Sequence, residues 1–293
     1  MSEAKPGAPV LMPPPDSLPR TPRTPLPRGA CDCHLHFFGP EKKYRWAPDA
    51  RYISADATPK TYFELQRTLG LSRAVAVSGG AYGTNYKRLE DALVEHPERL
   101  RGVILPPADL APKEIKRLDK LGVRGVRFIS EKRFAHLPPL EPGLAQRVFD
   151  TARWQVHFYP GGDLAAQEKR LLALPNTVVL DHFGGLSIEK NKTSEMDVLL
   201  RMLDTGKVWV KLSGPMRCTK ADYPYAALTP IARKLAAHAP GRLLWGSDWP
   251  HVNMMGRAMP NDGDLVDLIA KWLPDAAVRK RVLVDNPAEL FGF

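Results

Sequence analysis

The sequence has few cysteines and no long apolar segment, and both shortages narrow the class of protein. Only three of its 293 residues are cysteines, namely Cys31, Cys33 and Cys218. An odd and sparse set is not a disulfide framework and is typical of a reducing compartment. No apolar stretch is long enough to cross a bilayer, and the N-terminus lacks the apolar core of a secretory signal. The sequence therefore predicts a cytoplasmic protein with no membrane partner.

Clustered basic charge is also missing, although the chain is basic overall. Lys and Arg number 42 against 32 Asp and Glu, which gives a formal net charge of +10. Such a charge permits anionic partners of several kinds. No run of five Lys or Arg occurs, and no basic stripe alternates with aromatic residues. We therefore predict a small anionic molecule rather than nucleic acid as the partner, while the oligomeric state is not indicated.

Proline is concentrated at the start of the chain. Residues 1–28 contain nine of the 29 prolines. Proline fixes φ and removes a backbone donor, so this segment cannot form a helix or a central strand. We predict an extended arm over residues 1–28, followed by a single domain over residues 29–293.

Beyond the arm, short apolar runs alternate with amphipathic stretches. Continuous apolarity, as in Thr177-Val178-Val179-Leu180, predicts strands buried on both faces of a parallel sheet. Eight strands alternating with eight helices predict a (β/α)8 TIM barrel of the α/β class. An open doubly wound sheet is disfavoured because no Gly-rich phosphate loop follows the first strand. The predicted strands cover 30–36, 73–78, 100–105, 125–129, 155–159, 177–181, 208–212 and 243–246. The predicted helices are one capped by Thr58 and ended by Gly70, then 86–96, 111–121, 142–152, 164–174, 193–204, 227–238 and 264–273, with a short closing helix within 274–293.

Polar residues follow several of these strands, where barrels carry their active sites. His34 and His36 are two residues apart on the first strand, so simple alternation places both on one face. The same alternation puts Asp32 with them and turns Cys31 and Cys33 toward the covering helices. Two further candidates end later strands, His182 after the sixth and Asp248 after the eighth.

Asp248 lies between two tryptophans, which predicts a partly desolvated carboxylate and hence a better base. Three arginines occupy similar strand-end positions. Arg127 lies within an apolar strand and must find an anion there. Together with Arg133 and Arg217 it could hold two carboxylates through bidentate hydrogen bonds. Other polar groups expected near the site are Tyr52, Tyr159, His251 and Asn253.

Three segments resemble the amidohydrolase superfamily, and within it the 2-pyrone-4,6-dicarboxylate lactonase branch. They are Asp32-Cys33-His34-Leu35-His36, Asp181-His182-Phe183-Gly184-Gly185 and Trp245-Gly246-Ser247-Asp248-Trp249-Pro250-His251. The resemblance extends over nearly the whole chain from residue 29. It implies a barrel enzyme that opens a dicarboxylated lactone without a divalent metal. The implied site has His34, His36 and His182 around the lactone carbonyl, Asp248 as general base, and Arg127, Arg133, Arg217, Tyr52, Tyr159, His251 and Asn253 as substrate-binding residues.

The chain departs from that branch at one substrate-binding position. Where the branch has a serine, this sequence reads Ser78-Gly79-Gly80-Ala81-Tyr82-Gly83. Alignment puts Gly80 at the serine position, and Ser78 can replace that contact only through a small backbone shift. The galactarolactone isomerase branch resembles the chain around Tyr223-Pro224-Tyr225, but it lacks the first histidine and replaces the aspartate. Hydrolysis is therefore favoured over isomerisation of a sugar-acid lactone.

Two further alternatives use the same residues. A zinc-dependent amidohydrolase would hold its metal with His34, His36, His182 and Asp248. Metal sites of the superfamily also commonly use a histidine or a carbamylated lysine where this chain has Tyr159 and Arg127, and a guanidinium opposes a dication. We therefore predict no cofactor, with zinc as the alternative. A dicarboxylate-binding protein without activity would need the arginines but not a base, so Asp248 argues against it.

Overall fold

Parallel strands form the wall of a barrel, which confirms the predicted (β/α)8 fold. The computed structural model describes residues 8–131, 134–190 and 193–293. Eight strands follow one another in chain order around the wall, each paired in parallel with the next. Two short strands outside the prediction, β1 and β3, form a separate parallel sheet. The strands are β1 (Val10–Met12), β2 (Cys31–Leu35), β3 (Tyr52–Ser54), β4 (Arg73–Val77), β5 (Leu100–Ile104), β6 (Val123–Ile129), β7 (Gln155–Tyr159), β8 (Val178–Leu180), β9 (Val208–Ser213) and β10 (Leu243–Gly246).

Helices cover the outside of the barrel, and their bounds agree with the prediction to within two residues. The first begins after Thr58, whose side chain accepts from the backbone of Thr61, and ends at Gly70 with a left-handed φ of 77°. The tail forms two short helices joined by a π-helical turn. No helix within the described ranges is long and apolar enough to cross a membrane. The helices are α1 (Pro59–Leu69), α2 (Lys87–Glu95), α3 (Pro112–Lys120), α4 (Pro142–Ala152), α5 (Leu164–Leu172), α6 (Thr193–Asp204), α7 (Pro215–Cys218), α8 (Leu228–His238), α9 (Asp262–Trp272), α10 (Ala276–Lys280) and α11 (Asn286–Phe291).

The barrel closes where the ends of β2 and β10 meet. The backbone N–H of Asp248 donates to the carbonyl of His34, and the N–H of His36 donates to the carbonyl of Trp249, both at 2.8 Å. A Cβ atom at Gly246 would lie 2.6 Å from Cβ of His34. Glycine is therefore required for the two backbones to approach, and this approach brings Asp248 next to the histidine pair.

A register irregularity in β2 overturns part of the predicted strand pattern. The pairing of β2 with β4 shifts between Asp32 and Leu35. Cys31 and Cys33 consequently pack inside the barrel, in a cluster that Phe291 of α11 completes. Asp32 faces outward instead and accepts a hydrogen bond from Tyr62 of α1. The prediction that Asp32 shares a face with the histidines is therefore wrong, because a bulge interrupts the two-residue alternation.

Asp32 serves the barrel closure rather than the site. It accepts from the backbone N–H of Ser247 at 2.9 Å and from the Ser247 hydroxyl at 2.5 Å, which joins β2 to the end of β10. It also accepts from the backbone N–H of His34. Complete burial raises the pKa of the Asp32 carboxyl to about 6, despite these donors.

The described part of the N-terminal arm runs along α9 to the rim of the barrel. Its backbone N–H groups at Arg23 and Thr24 donate to one carboxylate oxygen of Asp267, and Arg20 forms an ion pair with Asp264. A Cβ atom at Gly263 would collide with the carbonyl oxygen of Arg20, so the arm lies directly on the helix there. At the rim, β1 pairs with β3.

Candidate active site

A cavity opens at the C-terminal ends of the barrel strands. The space between its walls, including the open mouth, is about 400 Å³. Its wall combines two imidazoles, one carboxylate and two guanidinium groups with aromatic and apolar side chains. The lining residues are His36, Tyr52, Gly80, Arg127, Ile129, Phe134, Tyr159, His182, Arg217, Asp248, Val252 and Asn253.

Three imidazoles surround one oxygen of Asp248. The Nε2 atoms of His34, His36 and His182 lie 3.7, 3.6 and 3.9 Å from Asp248 Oδ1. These separations are too long for direct hydrogen bonds. The four atoms therefore border a space in which a ligand oxygen could contact several of them at once. The structure thus brings together all four residues that we predicted to be catalytic.

Arg217 holds the other oxygen of Asp248. Its Nε and Nη2 atoms each lie 2.8 Å from Oδ2. Burial raises the pKa of the Asp248 carboxyl, but the charge of Arg217 and the nearby imidazoles outweigh it and hold that pKa well below its usual value. The prediction that desolvation makes Asp248 a stronger base is therefore wrong. The ion pair with Arg217, which the sequence does not reveal, lowers the pKa of the carboxyl instead. Asp248 is ionised throughout the neutral range.

His34 and His36 differ in the hydrogen-bond partner of their Nδ1 atoms, and this partner determines which ring nitrogen can carry a proton. Nδ1 of His36 lies 2.9 Å from the carbonyl oxygen of Val77, which can only accept, so this nitrogen carries a proton. A neutral His36 then turns the lone pair of Nε2 toward Asp248. Nδ1 of His34 instead lies 3.1 Å from Nζ of Lys211. Neutral imidazoles at His34 and His36 would therefore not be equivalent N–H donors.

Burial keeps the deeper imidazoles neutral. It lowers the pKa of His182 to about 4, against the opposing charge of Asp248. Burial and the charge of Lys211 lower the pKa of His34 well below its usual value. Nδ1 of His182 lies 3.0 Å from the hydroxyl of Ser213, which can donate or accept. The site thus places the neutral imidazoles of His34 and His182 beside an ionised carboxylate.

Of the predicted arginines, two reach the cavity. The anion that buried Arg127 contacts is Asp181, whose Oδ2 accepts from Nε at 2.8 Å. Arg217 contacts Asp248 in the same way. Arg133 lies outside the described residues. Two guanidinium groups on one cavity wall favour an anionic ligand.

The remaining predicted contacts divide into two groups. Tyr52, Tyr159 and Asn253 line the cavity. Ser78 and His251 do not. Ser78 lies against a separate small cavity formed with Phe37 and Arg88, and it is Gly80 that reaches the site after the turn at Gly79. Gly80 therefore faces the cavity in place of Ser78, and the contact of Ser78 with substrate stays a prediction.

His251 is fully buried and is held away from the cavity. Its Nε2 lies 3.0 Å from Asp262 Oδ1, at the first residue of α9. The imidazole therefore joins the rim loop to the helix, and its contact with substrate stays a prediction. The neighbouring Asn253 reaches the cavity instead.

Sequence reasoning missed one buried cation. Lys211 is completely buried on β9 and contacts Asp181 Oδ1 at 3.1 Å. It also lies 3.0 Å from Nδ1 of His157 on β7. The signal was available, because a lysine within Val208-Trp209-Val210-Lys211-Leu212 must find an anion for the same reason as Arg127.

The family is decided by comparison with known proteins. The amidohydrolase family profile matches residues 31–293, which covers almost the entire described barrel. The chain belongs to the amidohydrolase family. This confirms the resemblance read from the three motifs, and it makes the protein an enzyme.

Individual known proteins also match over nearly the full chain. The 4-sulfomuconolactone hydrolase of Rhizobium radiobacter is 36% identical over 273 residues, covering 91% of each chain. The 2-pyrone-4,6-dicarboxylate hydrolase of Comamonas testosteroni is 34% identical over 285 residues, covering 93% of each. A crystal structure of an Agrobacterium tumefaciens protein in its apo form superposes with a TM-score of 0.83 at 30% identity, covering 93% of this chain and 98% of that one.

Amidohydrolases often bind a divalent metal, and the cavity offers a possible ligand set. One atom from each of His34, His182 and Asp248 lies within 4.8 Å of the others. A ligating imidazole must turn a lone pair to the metal. The lone pair of His36 Nε2 can do so, but Nδ1 of His34 faces the ammonium group of Lys211, and a hydrogen bond from that group would place the His34 proton on Nε2. The hydrogen bonding therefore does not fit a zinc ion held by both histidines of the pair.

Proposed function

We propose that this amidohydrolase hydrolyses a lactone that carries at least one carboxylate or sulfonate group. The observation that carries the proposal is the arrangement of three imidazole Nε2 atoms 3.6–3.9 Å from Asp248 Oδ1, beside Arg127 and Arg217. Asp248 is ionised and Arg217 fixes its position, so the carboxylate is suited to accept a proton from water. Two guanidinium groups supply the charge that an anionic ring would need.

In the proposed reaction, Asp248 Oδ1 accepts a proton from water as the water oxygen attacks the lactone carbonyl carbon. The tetrahedral intermediate carries negative charge on the former carbonyl oxygen. A neutral imidazole N–H stabilises that charge, and His34 and His182 are the histidines able to present one. Collapse of the intermediate breaks the ring C–O bond, and the proton held by Asp248 passes to the leaving oxygen. Water and lactone are thereby converted into one open-chain hydroxy acid or its keto form.

The arginines orient the ring against the water. Arg127 is buried within the cavity wall and anchored by Asp181, so its guanidinium group is preorganised. Arg217 directs Nε and Nη2 at Asp248. A charge-assisted hydrogen bond is worth about 1.5–3 kcal/mol, so one anchored arginine can supply much of the affinity for an anionic ring.

The activities of the two relatives named above narrow the substrate class. Both concern ring-opening of an anionic lactone, a sulfomuconolactone in one case and a pyrone dicarboxylate in the other. The glycine at position 80 leaves the cavity wall without the serine expected from the second of these. We therefore propose an anionic lactone whose shape differs from 2-pyrone-4,6-dicarboxylate at the Gly80 wall.

The test is a panel of lactones that includes 2-pyrone-4,6-dicarboxylate, 4-sulfomuconolactone and D-galactarolactone, together with uncharged lactones of equal ring size. Products are identified by mass and acid release is titrated. We expect ring-opening with one proton released per turnover for an anionic member, at a rate unchanged by chelation. Rearrangement without acid release would instead identify an isomerase. Tight binding without turnover would identify a binding protein, and activity lost to a chelator and restored by Zn²⁺ would identify a zinc enzyme.

A further inference from the structure

Four completely buried polar side chains form a cluster behind the imidazoles of the site. Lys211 lies at its centre, with Nζ 3.1 Å from Nδ1 of His34, 3.0 Å from Nδ1 of His157 and 3.1 Å from Asp181 Oδ1. An ammonium group has three N–H donors and no acceptor. Lys211 thus has one N–H donor for each of its three neighbours. The direction of each hydrogen bond follows from which atom of the pair carries the proton.

The direction at His157 follows from a chain of hydrogen bonds that starts at a backbone carbonyl. Nε2 of Gln155 donates to the carbonyl oxygen of Leu290 at 2.5 Å, which turns Oε1 of the amide toward the imidazole. That oxygen can only accept, so His157 Nε2 carries a proton and donates to it at 3.0 Å. Nδ1 of a neutral His157 is then an acceptor, and Lys211 must donate to it.

The direction at His34 follows from the donors that remain. Lys211 pairs with Asp181, which balances its charge, and its third N–H faces Nδ1 of His34. Nδ1 of His34 is also 3.2 Å from Asp181 Oδ1, the oxygen to which Lys211 donates at 3.1 Å, so the imidazole lies beside both members of the ion pair. A neutral His34 that accepts at Nδ1 carries its proton on Nε2. Nε2 in turn is buried and has no partner within the described residues, while it lies 3.7 Å from Asp248 Oδ1.

We propose that Lys211 is a positioning residue, which donates to Nδ1 of His34 and so directs the Nε2–H of His34 at the substrate oxygen. This role for Lys211 belongs to the proposed lactone hydrolysis and rests on that proposed function. His36 has the opposite arrangement, with its proton on Nδ1 and held by Val77. The two histidines of one short motif therefore have different roles, one as a donor and one as an acceptor, and the buried lysine is the residue that makes them differ.

The direct test is nitrogen NMR of histidine labelled with ¹⁵N, recorded on the wild-type protein at neutral pH. His34→Gln identifies the His34 signals. We expect a protonated Nε2 and an unprotonated Nδ1 for His34, and the reverse for His36. A proton on Nδ1 of His34 would overturn the proposal, since Nδ1 would then donate to Asp181 Oδ1 instead of accepting from Lys211. This measurement needs no substrate, so its failure is distinct from a failure of the proposed function.

The second test replaces the lysine. Lys211→Met should move the His34 proton toward Nδ1 and lower kcat for the responsive lactone by at least about tenfold, with KM changed less than about threefold, because a donor to the developing charge is lost. Lys207→Met is the matched control, since Nζ of Lys207, just before the same strand, donates to the backbone carbonyls of Leu172 and Leu174 and contacts no residue of the cavity wall among the described residues. A folded Lys211→Met protein with the wild-type His34 tautomer and kcat would overturn the proposal. If that variant does not fold, the wild-type spectrum alone decides.

Discussion

Asp248 and Arg217 are joined through two guanidinium nitrogens, and this pairing determines how the candidate base titrates. The charge of Arg217 is the largest influence that lowers the pKa of the carboxyl against the opposing effect of burial. The acid limb of activity in the wild-type enzyme is therefore expected to reflect His182, whose pKa burial lowers to about 4, rather than Asp248. A base with a low pKa gains its effectiveness from position and not from proton affinity.

Replacement of Arg217 should expose the titration of Asp248. In Arg217→Met the burial of the carboxyl is no longer offset by the guanidinium group, so its pKa rises and the acid limb of kcat/KM moves toward neutral pH. The value of kcat/KM at pH 8 should fall about tenfold to a hundredfold through the lost hydrogen bonds. Profiles of kcat/KM between pH 4 and 9 measure both effects.

Arg127→Met is the matched control for Arg217→Met. Arg127 pairs with Asp181 rather than with Asp248, so its loss should raise KM without the same shift of the acid limb. Equal shifts in the two variants would show that the Arg217–Asp248 pair does not govern the profile.

Among the secondary-structure elements, the barrel strands and their helices were predictable from sequence, whereas the bulge in β2 and the sheet of β1 and β3 were not. The alternation of apolar and amphipathic runs was sufficient for every barrel strand and its following helix, because burial on both faces leaves a continuous apolar signal. The bulge in β2 was not predictable, since it depends on the pairing with β4 and not on local residue types. The sheet of β1 and β3 was missed for a different reason, because three-residue strands carry too little sequence pattern.

The arm connects this missed sheet to the site. Strand β3 carries Tyr52 of the cavity wall, and the arm residue Met12 accepts from the backbone N–H of Asn253, another wall residue. Because Gly263 allows the arm to lie on α9, Gly263→Ala should displace it. We expect KM to rise several-fold with little change in kcat, measured by steady-state kinetics on the responsive lactone.

Gly143→Ala offers a matched control for that variant. Gly143 is likewise the second residue of its helix, but a Cβ atom there meets nothing within 4 Å. Its replacement should leave the kinetics unchanged and stabilise the fold by about 0.4–1 kcal/mol. Equal kinetic effects in the two alanine variants would exclude a role for the arm in shaping the cavity.

For the whole molecule, the site could be located from sequence but its hydrogen bonding could not. Parallel strands bring their C-terminal ends to one rim, so His34, His36, His182 and Asp248 had to lie near one another once the barrel was predicted. Which nitrogen of each imidazole carries a proton depends on Val77, Lys211 and Ser213, which come from three other positions in the fold. Such partners are set by three-dimensional packing, which spacing along the chain does not encode.

The buried histidines should also shape the acid stability of the fold. Burial lowers the pKa of His34, His157 and His182, so these groups bind protons in the unfolded chain below about pH 6.5 but remain neutral in the fold. The free energy of unfolding must then fall as pH decreases from about 6.5 toward 4, by up to about 1.4 kcal/mol per pH unit for each histidine. Asp32 opposes this trend, because its pKa is raised to about 6 and it gains its proton in the fold first.

Urea unfolding at pH 7 and pH 5 measures this dependence. With three histidines against one carboxyl, we expect a net loss of up to about 3 kcal/mol per pH unit near pH 5. His157→Gln, which changes no residue of the cavity wall, should reduce that slope by about 1.4 kcal/mol per pH unit. A slope that is unchanged in this variant, or stability that rises toward pH 5, would contradict the assignment of neutral buried imidazoles.

The central claim is that Asp248 removes a proton from the attacking water, and Asp248→Asn tests it most directly. Asparagine preserves the shape and one oxygen but cannot accept that proton. Single-turnover ring-opening of the responsive anionic lactone is compared in the wild-type and variant enzymes, with binding measured separately by calorimetry. We expect the rate to fall by about 10²–10⁴ while the lactone still binds. A variant that opens the ring at the wild-type rate would contradict the claim.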